Sequence, residues 1–540
     1  MTITTRSLAG AEQLAGLTLT ARERRQALAR VAGLIDGYAL QRAVAPASDE
    51  APAVRFDPRL PGMRFPAARG RLVRSGGRVP PLPADDDAIA YAPVTRLSRW
   101  LEHGVLTSER LTRIYLQRLH ALGPRLECVV TLLDEQALRA ADRADRERAR
   151  GRVRGPLHGI PWGAKDLLDT RGIPTTWGAE PYRDRVPDRD AEVVRKLDAA
   201  GAVLVAKLSL GALAYGDVWF GGKTRNPFSL DTGSSGSSAG SAAATAAGLV
   251  GFAIGSETLG SIVSPSSTCG TVGLRPTFGR VSRAGAMPLA WSLDKLGPIT
   301  RTVEDAALVL DAIAGPERPP RADADPYVVD LPFACDCRRP ASGLRVGYEP
   351  ASFRGAAAHA SQRSALRALR AAGVALVPVQ YPDTPTQPLM AILSAESAAA
   401  FDELTRSDRD DALARQDDAA WPNLFRASRF IPAVELIQAE RLRRRAMHEL
   451  HALFETHALD ALLSPPRADD GMLALTNFTG HPSLTVRVGM RRGERGERAP
   501  RGRPVALNLW GRLYDEGTLA RLGITLERSL DVWDVRPAFG

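Results

Sequence analysis

The sequence has few cysteines and lacks the common metal-ligand patterns. Four cysteines in 540 residues are too few for a disulfide framework. Cys335 and Cys337 form C-x-C rather than C-x-x-C, no second pair completes a zinc site, and the eight histidines include no HExxH. We therefore expect a cytoplasmic, reduced protein that needs no metal and no cofactor.

Long apolar runs are also missing. No stretch of about 18 apolar residues occurs, and the N-terminus lacks the apolar core of a signal peptide, so no membrane partner is expected. The net charge of +10 raises the question of nucleic acid. The arginine clusters at 441–450 and 490–503 predict an exposed helix and a loop. Because no nucleic-acid motif accompanies them, no nucleic-acid partner is expected.

The composition changes at about residue 85. Residues 9–42 have apolar residues at helical spacing, and residues 43–85 are rich in Pro, Gly and Ala, so 1–85 is predicted to be a helical arm with an extended linker. In residues 86–540, predicted strands alternate with helices, which favours an α/β domain with a mixed sheet covered by helices on both faces. The apolar stripe of the arm needs cover from this domain or from a second subunit, so a homodimer is one prediction.

Two serine-rich stretches raise the question of a catalytic serine, which needs a base nearby. In "GSSGSSAG" (233–240), Gly236 to Gly240 fits G-x-S-x-G with Ser238 as the nucleophile, but a turn-like segment precedes it where an elbow needs a hydrophobic strand. No Gly-Lys-Ser/Thr follows, as a phosphate loop would require. The stretch instead leads into a helix of small residues, which indicates that its backbone closely approaches another group.

The order of the motifs resembles the amidase signature family of serine hydrolases, which use a Ser–Ser–Lys triad. The resemblance runs from about residue 90 to 310 through "HGIPWGAKD", "GSSAGSAAATAAGL" (236–249) and "GSETLGSIVSPSSTCGTVGLRPT" (255–277), and it returns weakly at 475–486. It implies the amidase-signature fold for residues 86–540. It also implies Ser261 as the nucleophile, Ser237 as a bridging serine on a cis peptide bond, and Lys165 as the base.

A lysine acts as a base only when burial lowers its pKa from about 10.4. Lys165 follows the apolar "IPWGA", which is typical of a buried strand end; an ion pair with Asp166 is the alternative. The resemblance also implies that backbone N–H groups along Thr258, Leu259 and Gly260 receive the oxyanion, although an ordinary tight turn would have the same pattern. Gly211 aligns with a loop that borders the scissile carbonyl in the family.

Three positions differ from the usual text of the family. Members often have aspartate where Glu257 stands, glycine where Leu259 stands, and arginine where Val263 stands. The missing arginine argues against a small acidic substrate. Leu259 is expected to narrow the approach to the oxyanion site or to shape the pocket.

The leading hypothesis is an amidohydrolase that cleaves a small-molecule carboxylic amide, or an ester, through an acyl-enzyme. The alternatives are a glutamine-hydrolysing amidotransferase subunit that acts on charged tRNA, an amide-forming acyltransferase, and a non-catalytic binding protein on the same scaffold. The presence of all three triad residues argues against the last. The sequence does not identify the substrate.

Overall fold

The computed structural model describes residues 3–44, 50, 52–63, 65, 71–320, 324–355, 358–466, 471–493 and 496–539. Its helices are α1 (Thr5–Ala15), α2 (Ala21–Val44), α3 (Asp86–Ala90), α4 (Val94–Glu102), α5 (Ser108–Leu126), α6 (Asp134–Ala149), α7 (Glu192–Ala199), α8 (Ala239–Ala246), α9 (Val263–Cys269), α10 (Val303–Ile313), α11 (Ala360–Ala371), α12 (Met390–Ala400), α13 (Asp402–Arg406), α14 (Trp421–Ser428), α15 (Ala433–Thr456), α16 (Gly471–Phe478) and α17 (Glu516–Leu530). Its strands are β1 (Leu72–Val73), β2 (Val129–Leu132), β3 (Pro161–Lys165), β4 (Val203–Leu208), β5 (Val218–Trp219), β6 (Gly222–Lys223), β7 (Arg225–Asn226), β8 (Ser229–Gly233), β9 (Phe252–Glu257), β10 (Val272–Arg275), β11 (Lys295–Thr300), β12 (Cys335–Asp336), β13 (Arg345–Tyr348), β14 (Ala375–Pro378), β15 (Ala461–Ser464), β16 (Ser483–Arg491) and β17 (Arg503–Gly511).

A large mixed sheet organises the described residues. Its strand order is β14-β13-β15-β17-β16-β10-β11-β9-β3-β4-β2. The pairs β14–β13, β13–β15, β9–β3 and β3–β4 are parallel, and the remaining neighbours are antiparallel. Helices surround this sheet, so the predicted α/β fold is confirmed.

Strands β3 and β9 bring the two halves of the motif together. They are parallel neighbours, with Trp162 opposite Phe252 and Ala164 opposite Ile254. Every residue of both strands is buried. Because the carboxyl ends of parallel strands meet at one edge of a sheet, Lys165 at the end of β3 and Glu257 at the end of β9 lie at the same edge.

Small residues allow helix α8 to pack closely beside this edge. All eight of its residues are buried. A Cβ on Gly240 would lie 2.5 Å from the backbone N of Ser209 and 2.6 Å from the carbonyl O of Cys128. This spacing excludes a larger residue, which accounts for the Gly/Ser/Ala composition of the stretch.

The N-terminal arm is an α-helical hairpin. Helices α1 and α2 contact each other, and Arg24 Nε donates to Glu12 Oε1 at 2.5 Å. Leu14, Leu17 and Leu34 are more than half exposed. A second subunit that would cover these side chains remains a prediction.

The described residues between the arm and α3 contact the part of the chain that contains the large sheet. The ring of Phe56 lies 5.1 Å from that of Phe278, and β1 pairs in parallel with β12. Within the described part of the chain, none of the helices has the length and apolar character that a membrane crossing requires.

The prediction of an exposed helix at 441–450 is wrong for one of its arginines. Arg443 in α15 is 1% exposed. Its Nε donates to the carbonyl of Phe478 at 2.6 Å, and its guanidinium lies 3.4 Å from the centre of the Phe56 ring. The cluster at 490–503 also includes strand residues, since β16 ends at Arg491 and β17 begins at Arg503. Charge alone did not reveal these tertiary partners.

Candidate active site

Lys165 lies at the centre of a cluster of serine hydroxyls. It is fully buried, and its Nζ lies 2.8 Å from Ser237 Oγ, 2.8 Å from Ser256 Oγ and 3.1 Å from Ser238 Oγ. Burial lowers the pKa of the Lys165 amine well below its ordinary value, and the charges of Asp294 and Glu257 oppose this shift only in part. A neutral amine hydrogen-bonded to hydroxyls can accept a proton from one of them.

The alternative ion pair between Lys165 and Asp166 does not form. Asp166 Oδ1 instead lies 2.9 Å from Lys207 Nζ, with both side chains fully buried. The other oxygen of Asp166 accepts hydrogen bonds from the backbone N and the hydroxyl of Thr176. Lys207 therefore pairs with the Asp166 carboxylate, and the Lys165 amine contacts the serine hydroxyls.

The serine-rich turn carries Ser237 on a cis peptide bond after Gly236, as the resemblance implied. A Cβ on Gly236 would lie 1.8 Å from the carbonyl O of Gly216. The turn is therefore pressed against the loop that begins at Gly211, where a Cβ would lie 2.0 Å from the same oxygen. Gly211 thus borders the serine turn, and close backbone contact explains both glycines.

Ser238, the nucleophile of the elbow interpretation, has a structural set of partners. Its hydroxyl donates to the carbonyl of Ser256 at 3.1 Å and accepts from the backbone N of Ser256 at 3.1 Å. It is fully buried. These bonds connect the turn to the end of β9, and the geometry does not favour Ser238 as the attacking group.

Ser261 lies beside the cluster on the loop between β9 and α9. It is 9% exposed, and its carbonyl accepts a hydrogen bond from the backbone N of Ser238 at 3.2 Å. Among the described residues, its hydroxyl makes no hydrogen bond. The structure therefore brings Lys165, Ser237 and Ser261 into one region, and the hydroxyl of Ser261 is not engaged elsewhere.

The loop before Ser261 is held at each of its residues. Thr258 Oγ1 donates to Asp294 Oδ1 at 2.6 Å, and Leu259 packs against an apolar cluster from the C-terminal half. Gly260 has φ +91, a conformation that favours glycine. Leu259 therefore faces a packed cluster, and its contribution to the shape of a pocket stays a prediction.

Glu257 anchors the loop from behind. Its Oε2 accepts from the backbone N of Ile262 at 2.7 Å and of Val263 at 2.9 Å, while Oε1 accepts from Arg275 at 2.7 Å and from Asn477 at 2.9 Å. Burial opposes the charge, but the cations Arg275 and Lys295 and these hydrogen bonds hold the pKa of Glu257 below its usual range. The carboxylate thus fixes the two residues that follow Ser261.

A cavity of about 450 Å³ reaches this site from the side of β11. Ala214, Ser256 and Thr258 line its inner end. Its apolar wall consists of Leu167, Met287, Leu289, Trp291 and Leu296. The guanidinium of Arg283, also in the wall, is paired with Asp325, with Nε 2.8 Å from Oδ2.

Several residues of the site were not found by sequence reasoning. The hydroxyl of Ser256 on the lysine, the support of Thr258 by Asp294, and the contacts of Arg275 and Asn477 with Glu257 all join distant segments. No local pattern marks them. The described residues contain no group of three or more His, Cys, Asp or Glu side chains that could hold a metal ion.

The fold and this site define an α/β protein with a buried serine–serine–lysine cluster at the edge of a mixed sheet. A family model described as Amidase matches residues 110–520. The chain belongs to this family, the amidase signature family.

Known relatives of this chain are named for different activities. A glutamyl-tRNA(Gln) amidotransferase subunit from Moorella thermoacetica is 33% identical over 494 residues, which cover 83% of this chain and 99% of the relative. The X-ray structure of native peptide amidase from Stenotrophomonas maltophilia is 33% identical, with a TM-score of 0.69 and coverage of 82% of this chain and 97% of that one. A bacterial aryl acylamidase of the same family, 21% identical with a TM-score of 0.70 and coverage of 83% and 99%, shares the fold.

Proposed function

We propose that the protein hydrolyses carboxylic amides, with Ser261 as the nucleophile, Ser237 as the proton relay and Lys165 as the base. One observation carries this proposal: a buried lysine with a lowered pKa lies 2.8 Å from the Ser237 hydroxyl. Such an amine can hold a proton taken from serine, whereas an exposed lysine is already protonated.

The reaction begins as Lys165 Nζ accepts the proton of Ser237 and Ser237 Oγ accepts the proton of Ser261. Ser261 Oγ attacks the carbonyl carbon, and the negative oxygen is stabilised by backbone N–H groups along Thr258, Leu259 and Gly260. The C–N bond breaks when Ser237 gives a proton to the leaving nitrogen and recovers one from Lys165. Water then cleaves the acyl-enzyme by the same proton route.

The cavity beside the site supports a substrate with an apolar group. Its wall is mainly apolar, and the cation of Arg283 is neutralised by Asp325. Val263 occupies the position where family members often have arginine. An acyl or amine group that is aliphatic or aromatic gains from burial against this wall.

The amidotransferase activity is the second candidate, because relatives with that name match nearly their whole length. In that case the same triad would release ammonia from glutamine for a charged tRNA, and the protein would work with other subunits. The resulting difference is measurable, because an independent amidase needs no other protein, whereas the activity of a subunit depends on its partners.

The purified full-length protein is tested with an aryl amide, a peptide amide and glutamine. We expect the first or second to be cleaved without any added protein, and we expect Ser261→Ala to abolish cleavage. Ser267→Ala is the matched control, because the Ser267 hydroxyl in the helix that follows Ser261 makes no hydrogen bond within the described part of the chain. If glutamine is the only one of the three substrates that is hydrolysed, and only when partner subunits and tRNA are added, the result would favour the second candidate. A mass shift on a residue other than Ser261 after treatment with an activated ester would contradict the proposed nucleophile.

A further inference from the structure

A second cavity, of about 200 Å³, lies at the far end of helices α8 and α9 and is lined by four arginines. They are Arg96, Arg301, Arg487 and Arg536. Asp534 is the one carboxylate among the described lining residues, so the wall carries four positive charges and one negative charge. This excess of cations in an enclosed space is unusual, because buried charges are normally paired.

The two inner arginines are almost entirely buried and are bonded to neutral groups. Arg301 and Arg487 are 9% and 8% exposed. Arg301 donates to the carbonyls of Val250 at 2.7 Å and Ala92 at 2.9 Å, and Arg487 donates to the carbonyl of Val535 at 2.9 Å. In the described part of the chain, neither arginine forms an ion pair, and the Nε of each lacks a hydrogen-bond partner.

Two nearby carboxyl groups, Glu527 and Asp305, form no ion pair with the inner arginines in the described part of the chain. Glu527 accepts from the backbone N of Val303 at 2.9 Å, and burial raises its pKa well above the ordinary value. Asp305 accepts from the backbone N of Val94, and burial raises its pKa too. Burial lowers the pKa of Arg487 to about 10, which still leaves the guanidinium charged at neutral pH.

The two outer arginines are exposed and available. The side chain of Arg96 makes no hydrogen bond or ion pair among the described residues. The guanidinium of Arg536 lies 4.8 Å from the centre of the Tyr91 ring, a contact that leaves its N–H edge open. The Thr271 hydroxyl, also in the lining, makes no hydrogen bond to any residue that the structure describes. Planar N–H forks and a hydroxyl are the donors that bind a tetrahedral oxyanion.

We propose that this cavity binds a small molecule through a phosphate group. The three excess positive charges are enough to neutralise a phosphate dianion, and the volume holds a phosphate with a few further atoms, since one water occupies about 30 Å³. The site is separate from the serine cluster. Its wall includes Ala246 at the end of α8 and Cys269 at the end of α9, whereas Ser237 and Ser261 precede the beginnings of these helices. The proposal is independent of the amidase activity.

Calorimetric titration of the full-length protein with inorganic phosphate and with pyrophosphate tests the proposal, at an ionic strength held constant with potassium chloride. We expect saturable binding of one equivalent of at least one of the two anions. The double variant Arg96→Gln/Arg536→Gln should weaken it by about tenfold for each arginine that donates to the anion. Both side chains are exposed, so this variant is expected to fold.

The matched control is Arg113→Gln/Arg139→Gln, which removes the same charge from two exposed helix positions paired with Glu109 and Glu135. It should bind as the unmodified protein does. Binding of neither anion would overturn the proposal. An equal loss of affinity in both double variants would also overturn it, because it would indicate general charge attraction. An unchanged affinity in Arg96→Gln/Arg536→Gln would overturn it as well, because the anion would then bind elsewhere.

Discussion

Replacing Lys165 with methionine keeps the length and the apolar stem of the side chain and removes the amine at its end. If the amine is the base, kcat/KM should fall by about 10²- to 10⁴-fold, the usual contribution of a positioned acid or base. The fold should remain, because the buried volume is nearly unchanged. Lys223→Met is the matched control, since Lys223 is exposed whereas Lys165 is buried.

The effect of Lys165→Met on stability contains two opposing contributions. The hydroxyls of Ser237 and Ser256 each lose a partner 2.8 Å away, which costs about 1–3 kcal/mol for each group that stays unpaired. Ser238 keeps its two bonds to the backbone of Ser256. Against this loss, the variant no longer buries an ionisable amine, a cost of about 1.4 kcal/mol for each unit by which burial lowers the pKa. The net change at one pH is therefore the difference between the two contributions, and a measurement at a single pH does not separate them.

The pH dependence separates these contributions. Between the lowered pKa of native Lys165 and the unfolded value of about 10.4, the unfolded chain binds a proton that the native protein does not. The free energy of unfolding should therefore rise with pH in this interval, by up to about 1.4 kcal/mol per unit from this one group. The Lys165→Met variant should lack this increase in the free energy of unfolding. The contribution of Lys295, whose pKa burial also lowers, is present in both proteins and cancels in the difference.

Urea unfolding of both proteins at a series of pH values from 6 to about 10 provides the measurement. We expect the free energy of unfolding of the unmodified protein, relative to that of Lys165→Met, to increase with pH. The free energy of unfolding of Lys223→Met should change with pH as that of the unmodified protein does. A difference between Lys165→Met and the unmodified protein that does not vary with pH would refute the argument, because the amine would then be charged in the native state. Full activity of Lys165→Met would refute its role as the base.

Three further predictions concern the same site. The rate kcat/KM should rise with pH through the lowered pKa of Lys165, because only the neutral amine accepts a proton, and a rate independent of pH would contradict this. Glu257→Gln should destabilise the protein by about 3–5 kcal/mol and lower kcat, since it leaves Arg275 buried without its carboxylate; thermal unfolding and steady-state kinetics measure both effects. Ser237→Ala should lower kcat/KM by about as much as Lys165→Met, and the double variant should lose little more than either single variant. Ser238→Ala should cost about 1–3 kcal/mol of stability and less activity. If Ser238→Ala lost more activity than Ser237→Ala in rate assays, the elbow interpretation would be restored.

The sequence by itself determined the family and the positions of the proposed reacting groups. The serines at 237 and 261, the lysine after an apolar strand and the small residues of α8 are local features. They depend on spacing, strand burial and helix packing, which neighbouring residues specify. The alternation of strands and helices likewise predicted a mixed sheet, which the structure has.

Only the tertiary structure decided what surrounds these groups. Asn477 reaches Glu257 across 220 positions of sequence, and Arg443, predicted to be exposed, is buried against Phe56 and Phe478. The four arginines of the second cavity come from α4, the turn after β11, strand β16 and the C-terminal segment. Such contacts follow from the order of strands in the sheet, which brings distant segments together. The pKa of Lys165 depends on the same packing, because burial is a property of the whole fold.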